Sequence, residues 1–276
     1  MLFYRCTADK KAQNMTQSLH PAAQQGFSSA AELYQQVRPN YPQQIVTWLQ
    51  QQLNLDAQSA VVDLGSGTGK FLPYLQQVTP HIIAVEPIAE MLAQLQQAYP
   101  QISTLHASSD QLSIESESID AVICAQSFHW FANIDSLNEI YRILKPRGQL
   151  GLVWNQRDIQ VDWVKALADV LEPLEGNTPR FHSGQWQHAF EQQCLFEFDQ
   201  VKTFQQRHIG RVEDVVSGRL LSTSFIAAMP IKQQQQLKMQ FEQIVADYTG
   251  KTAQDEIAFP YLTHAYNFKK TAPNTL

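Results

Sequence analysis

Only three cysteines occur in 276 residues, and Cys6, Cys124 and Cys194 stand far apart with no CxxC pair and no cysteine–histidine spacing. That excludes a disulfide framework and a structural zinc site, and it makes a reducing, cytoplasmic setting the expectation. Charge is scarce too: 17% of residues are charged and the net charge is −6. A protein that grips nucleic acid over a broad face needs clustered Lys and Arg to neutralise phosphates, so no nucleic-acid partner is expected. Glutamine runs such as 50–52 and 233–236 stand where helix surfaces often carry Glu and Lys, and they read as neutral solvated faces. No apolar run approaches the roughly 18 residues of a membrane-spanning helix, so no membrane partner is expected. Residues 1–17 carry Arg5, Lys10 and Lys11 without a following apolar block, unlike a secretory signal. Residues 1–20 read as a disordered tail in which Met15 offers a second start.

The chain is long enough for one large domain or for a core with an elaboration. From Ser59 onward short β-branched or apolar runs alternate with helix-like stretches, the pattern of a parallel sheet with crossover helices. Strands are predicted at 60–64, 82–86, 103–107, 119–125 and 149–154, and helices at 70–77, 89–98 and 134–144. Lys145, Pro146, Arg147 and Gly148 are expected to end the last of these helices. Before the core, helices at 30–36 and 43–53 flank a stiff link containing Pro39 and Pro42. After it, helices are predicted at 161–171 and 231–248 and strands at 197–208 and 259–268. The fold class is α/β, a doubly wound sheet of seven strands. Residues 21–58 form an N-terminal helical addition, 59–158 the core, and 159–276 the last strands with a helical insertion.

The sharpest motif is Val61-Val62-Asp63-Leu64-Gly65-Ser66-Gly67-Thr68-Gly69, where the first strand meets the first helix. Glycines there allow a tight turn and a close approach of ligand to backbone, although a purely structural turn uses them as well. A dinucleotide fingerprint reads GxGxxG, whereas Gly65, Gly67 and Gly69 are spaced GxGxG and follow a carboxylate. Asp63 would repel a pyrophosphate and attract a ligand bearing an ammonium and a sulfonium. Glu86 ends the second strand, where doubly wound folds place an acid that binds ribose hydroxyls. Ser109 and Asp110 follow the third strand, where an acid can accept from an adenine amine or simply face water.

Together DLGSGTG, AVEP, HASSDQL, IDAVICAQSFHWF and EIYRILKPRGQLGLVWNQRD resemble the class I S-adenosylmethionine-dependent methyltransferases, in particular the small-molecule group that includes trans-aconitate methyltransferases. The resemblance spans about residues 27–158 and implies a Rossmann-like fold and S-adenosyl-L-methionine as cofactor. It assigns the methionine end to Asp63 and the loop Gly65, Ser66, Gly67 and Gly69, the ribose to Glu86, the adenine to Ser109 and Asp110, and the reactive end to Gln126. Relatives usually carry Ala-Glu where this chain has Ser109-Asp110. The segment around Phe27, Tyr34, Arg38, Pro39, Tyr41 and Pro42 is similar to the family's helical lid. Tyr34 and Arg38 would then cover the cofactor, or else serve as helix packing and a surface cation.

Methyl transfer from a sulfonium is an in-line displacement, for which the protein must align the reactants and exclude water. A base is needed only for an acceptor protonated at neutral pH. His129 is the candidate base and Trp130 a pocket wall, although both can instead pack the loop. Arg157 after the fifth strand can take a carboxylate bidentately, or pair with Asp158 or Asp162. Arg219, in a segment weakly similar to the family's acceptor-facing helix, is a second anion ligand. The partner expected is a small-molecule methyl acceptor, with a carboxylic acid as the candidate class. Rival readings keep the cofactor but assign other chemistry or a binding role.

Overall fold

The computed structural model describes residues 37–191 and 193–272. Within them a seven-stranded sheet has the order β3-β2-β1-β4-β5-β7-β6. Its strands are β1 (Val61–Leu64), β2 (Ile82–Val85), β3 (Ser103–Leu105), β4 (Ile119–Ala125), β5 (Leu144–Arg157), β6 (Phe196–Arg211) and β7 (Glu256–Lys270). Strands β1 to β5 run parallel, and β7 lies antiparallel between β5 and β6. Parallel neighbours need crossovers. Helices α2 (Leu72–Leu75), α3 (Ala89–Ala98) and α4 (Ile134–Ile143) supply three of them, and α1 (Gln44–Gln51) precedes the sheet.

The near-continuous apolar strands follow from burial on both faces. Val61, Ala121, Ile123 and Val153 pack with Ile45, Trp48 and Leu49 of α1 and with Leu72 and Leu75 of α2. Their neighbours Val62, Leu64, Val122, Cys124, Leu150, Leu152 and Trp154 face the opposite way, onto Leu137, Ile140 and Ile143 of α4. Side chains one residue apart point to opposite faces, so this odd–even division is the period-2 rule. Cys124 is a free, buried thiol and Cys194 is disulfide-bonded. One bridge is far from a disulfide framework, and the core stands on packing.

Several boundaries differ from the sequence expectation. The helix predicted over 70–77 shrinks to Leu72–Leu75, because the loop before it is still turning through Gly69 at φ +86°. The residues expected to separate α4 from β5 do not leave the sheet: Leu144 already pairs with Ile119, and 145–148 bulge out where the register shifts, with Arg147 at φ +69°. Strand β6 is longer than predicted, and mostly exposed as the outer strand of the sheet, which explains its weak alternation. The predicted helix at 30–36 lies outside the described residues.

The surplus length divides into two insertions around β6. Helix α5 (Asp162–Glu175) follows β5, and a π-helical turn at Glu213–Gly218, a short helix at Arg219–Leu221 and helix α6 (Ile231–Thr249) follow β6. Trp163, Leu167, Val216, Leu220, Phe241 and Phe259 form their shared core. No helix among the described residues is long and apolar enough to cross a membrane.

Candidate functional site

The strand order reverses between β1 and β4, so the loops leaving their carboxyl ends diverge and open a crevice. A cavity of about 940 Å³, counting its mouth, occupies this position. Its walls carry Asp63, Gly65, Ser66 and Gly67 from the first loop, Glu86 from the second, and Gln126, Trp130 and Phe131 after β4. Arg38, Tyr41, Lys70 and Arg219 close it from the flanking segments.

Asp63 is wholly buried, and neither of its carboxylate oxygens has a hydrogen-bond partner. Burial pushes its pKa up to about 7; Ser66 offsets this in part and Glu86 adds to it. A buried carboxylate without donors is costly to fold, and it suits a ligand that brings a cation or a donor. Glu86 is also pushed up to about 7 by burial, although its oxygens accept from the Gly67 amide at 2.8 Å and the Ile88 amide at 3.0 Å. Lys70 is pushed down to about 8, first by burial and then by Arg38 and Arg219.

The glycines differ in purpose. Gly65 takes φ +73°, and a Cβ there would meet Ser127 Cβ at 2.5 Å. The Ser127 hydroxyl donates to the Leu64 carbonyl at 2.7 Å, so this contact ties the β1 and β4 loops together. Gly69 does not line the cavity; a Cβ there would meet the Tyr99 ring at 2.9 Å, and its duty is the left-handed turn and the packing of α3. Ser109 and Asp110 correct the sequence expectation as well. Ser109 Oγ bonds Ser136 Oγ at 2.8 Å, Asp110 is exposed with Oδ1 accepting from Ser108, and neither lines the cavity. Beyond Glu86 the wall is instead apolar, with Pro87, Ile88 and Met91.

A second chamber, of about 710 Å³ counting its mouth, adjoins the first and shares Arg38, Gln126, Trp130, Asn155 and Arg219 with it. Its charged lining is lopsided. Arg38, Arg157, Arg180 and Arg219 bring guanidinium groups, and Glu175 is the one carboxylate in the lining among the described residues. Glu175 is engaged by His182 Nε2 at 2.8 Å. Burial opposes the ionised form of Glu175, but His182, Arg180 and Arg157 together hold its carboxyl below the usual range. Arg157 forms no salt bridge with Asp158 or Asp162, and its Nε is buried without a partner, as is that of Arg219. Among the described residues the Arg219 side chain reaches only Thr223 Oγ1, at 3.5 Å, and Arg38 Nη2 donates to the Ser222 carbonyl at 3.0 Å. The Arg180 guanidinium lies 4.8 Å from the Phe225 ring centroid. The Gln126 backbone is left-handed at φ +59°, and its side-chain amide donates to the Asn155 carbonyl at 3.1 Å.

His129 faces this chamber, but not as a ready base. Trp154 Nε1 donates to its Nδ1 at 3.1 Å. Burial, then Arg180, Arg38 and His182, push its pKa down to about 3. The expectation of a general base at 129 therefore meets a neutral imidazole whose accepting nitrogen is already used.

Tyr34 lies outside the described residues. Sequence reasoning missed Glu175, Arg180 and His182, which lie in a stretch without a motif or period, and Lys70, which follows the glycine loop but is not one of its motif residues. The one available signal was Arg180-Phe181-His182 itself, two cationic residues flanking an aromatic one.

Comparison with known proteins agrees with the geometry. The methyltransferase domain family matches residues 62–152. An uncharacterized methyltransferase-like protein of Schizosaccharomyces pombe, C25B8.10, is 34% identical over 252 residues, covering 88% of this chain and 95% of that protein. The uncharacterized methyltransferase Rv3342 of Mycobacterium tuberculosis is 29% identical over 249 residues, covering 86% of this chain and 92% of its own length. Among solved structures, a protein of Anaeromyxobacter dehalogenans described provisionally as a type II methyltransferase superposes with a TM-score of 0.64 at 18% identity, over 84% of this chain and 97% of that one. That likeness shows the fold. The carboxylate awaiting a cation, the loop open to a ligand and the acid at the end of β2 fit S-adenosylmethionine, and the chain belongs to the class I methyltransferases that use it.

Proposed function

We propose that the enzyme methylates a small anionic molecule, such as a carboxylic acid, held in the second chamber. The observation that carries this reading is the charge of that chamber, four guanidinium groups against one carboxylate already engaged by His182. In a partly dry site such an excess draws an anion strongly, and guanidinium groups match carboxylate geometry. When bound, S-adenosylmethionine supplies a methyl on a sulfonium: the acceptor's lone pair forms the new bond to carbon, and the carbon–sulfur bond breaks with its pair left on sulfur.

Asp63 would take the ammonium of the cofactor, with Gly65, Ser66 and Gly67 leaving room for its methionine part. Glu86 keeps lone pairs for ribose hydroxyls, and Ile88 and Met91 offer an apolar bed for adenine. Gln126 and Trp130, common to both chambers, would flank the line along which the methyl moves. Arg38, tied to Ser222, would join the segment before the sheet to the substrate-side insertion. Arg157 and Arg219 would hold the acceptor. Arg157→Gln and Arg219→Gln should each raise its KM at least tenfold with kcat changed less than threefold, because they remove binding made equally in ground and transition state. The acceptor is identified by incubating the enzyme with labelled cofactor and a metabolite extract; label only in products whose unmethylated precursor is neutral or cationic, or unaltered KM in both variants, would refute the reading.

A further inference from the structure

Resting on that reading of the second chamber, we infer that Trp154 is a positioning residue: it holds His129 as a neutral hydrogen-bond donor, so the acceptor atom that takes the methyl is already ionised when it arrives. The local geometry carries this. Trp154 is wholly buried, with ring centroids 4.8 Å from Phe181 and 4.7 Å from Trp186, so its indole N–H has little freedom to turn. That N–H donates to His129 Nδ1. A neutral imidazole carries one proton, and a nitrogen that accepts cannot hold it; the proton is therefore on Nε2. Nε2 has no partner among the described residues, and it is not among the sealed polar atoms of the interior, which leaves it turned to the chamber that His129 lines.

The groups around the ring keep it neutral. Arg38 faces it from the N-terminal link, Arg180 and His182 from the segment after α5, and Arg157 and Arg219 line the same chamber; the one opposing charge among the described residues, Glu175, is bound to His182. A second positive charge on His129 would add to an existing excess. The chamber then holds donors everywhere and no free acceptor of a proton among the described residues. A hydroxyl or ammonium acceptor would have nowhere to leave its proton, whereas a carboxylate brings its own lone pair and no proton changes hands. Nε2–H would hydrogen-bond the oxyanion and aim it, alongside the arginines.

The tautomer is directly measurable. In the full chain labelled with ¹⁵N at its 8 histidines, long-range proton–nitrogen correlation spectra from pH 5.5 to 8.5 should show His129, assigned with His129→Gln, as the Nε2-protonated form throughout. Trp154→Phe keeps the ring stack and loses the donor, and it should raise the Nδ1-protonated share at least threefold. Succinate, an oxyanion probe, should move the His129 Nε2 resonance without changing the tautomer, and dimethyl succinate should not. An Nδ1-protonated or imidazolium His129 in the unaltered protein would overturn the inference, and that spectrum decides even if the variant fails to fold. Equal shifts with succinate and its diester would overturn the oxyanion half. None of these spectra requires turnover, so unaltered KM in the arginine variants would count against the acceptor reading and leave the donor arrangement standing.

Discussion

Replacing Asp63 with asparagine should make the cofactor-free enzyme more stable at pH 8 and weaken S-adenosylmethionine binding about 100-fold. Both effects have one cause. The carboxylate is wholly buried, its oxygens lack hydrogen-bond partners, and its pKa stands near 7 instead of 3.8. The folded protein thus holds a proton that the unfolded chain releases at much lower pH. Between the two values the folded state binds more protons, so the contribution of Asp63 to stability is full below about pH 4 and is lost as the pH rises through 7. Glu86, raised from 4.5 to about 7, adds the same sign. The melting temperature of the cofactor-free protein should therefore drop between pH 5 and pH 8. The Asp63→Asn substitution removes one of the two contributions and should flatten the curve.

Binding has the opposite slope, because an ammonium prefers the ionised carboxylate. The rise in melting temperature produced by cofactor should be larger at pH 8 than at pH 6. A lost charge-assisted hydrogen bond is worth about 3 kcal/mol when the partner stays buried, which is the 100-fold loss for Asp63→Asn. Calorimetric titration and thermal melts test both halves. Unchanged affinity would remove Asp63 from the cofactor site, and a lower melting temperature at pH 8 would deny the burial cost. The trade is a usual one for functional sites, where stability is spent on a group poised for its ligand.

The second large effect is expected at Gly65. Gly65→Ala must place a Cβ 2.5 Å from Ser127 Cβ on a backbone at φ +73°. A non-glycine residue in that region costs roughly 1–2 kcal/mol, and overpacking a filled site typically adds about 1–3. The sum, about 3 kcal/mol, lowers the melting temperature by roughly 6–12 °C in a chain of this size. Ser127 cannot retreat without losing its bond to the Leu64 carbonyl, so the β1 and β4 loops would separate and the cavity would change shape. Cofactor binding should fall with stability. Gly250→Ala is the control, since it is left-handed at φ +69° and ψ 9° but has nothing within 4 Å of the added carbon, and it should cost about 1 kcal/mol. Equal melting points for the two alanine variants would refute the close-contact argument.

The positions that sequence alone determined are those governed by local rules. Helix α3 over Ala89–Ala98 and strand β4 over Ile119–Ala125 occur where predicted, because apolar period acts within a few residues. Asp63, Gly65, Gly67 and Glu86, proposed here for the cofactor, line the cavity for a related reason: each sits where a strand ends, and in a doubly wound sheet the crevice opens at the strand ends. Ser109 and Asp110 occupy an equivalent place in the sequence yet do not line the cavity, since β3 is the edge strand opposite β6 and Ser109 bonds Ser136 of α4.

Tertiary structure alone decided the second chamber. Arg38, Arg157, Arg180 and Arg219 come from four separate segments, and no spacing rule relates them; long-range contacts bring them to one wall. The same holds for His129. Its sequence context advertises a base, and only the packing of Trp154 against Phe181 and Trp186 reverses that role. Chain pattern determined the sheet, the cofactor loop and the class of chemistry, because these rest on period and turn geometry. Charge and proton placement depend on which distant groups meet in a dry space, and that is settled when the chain folds.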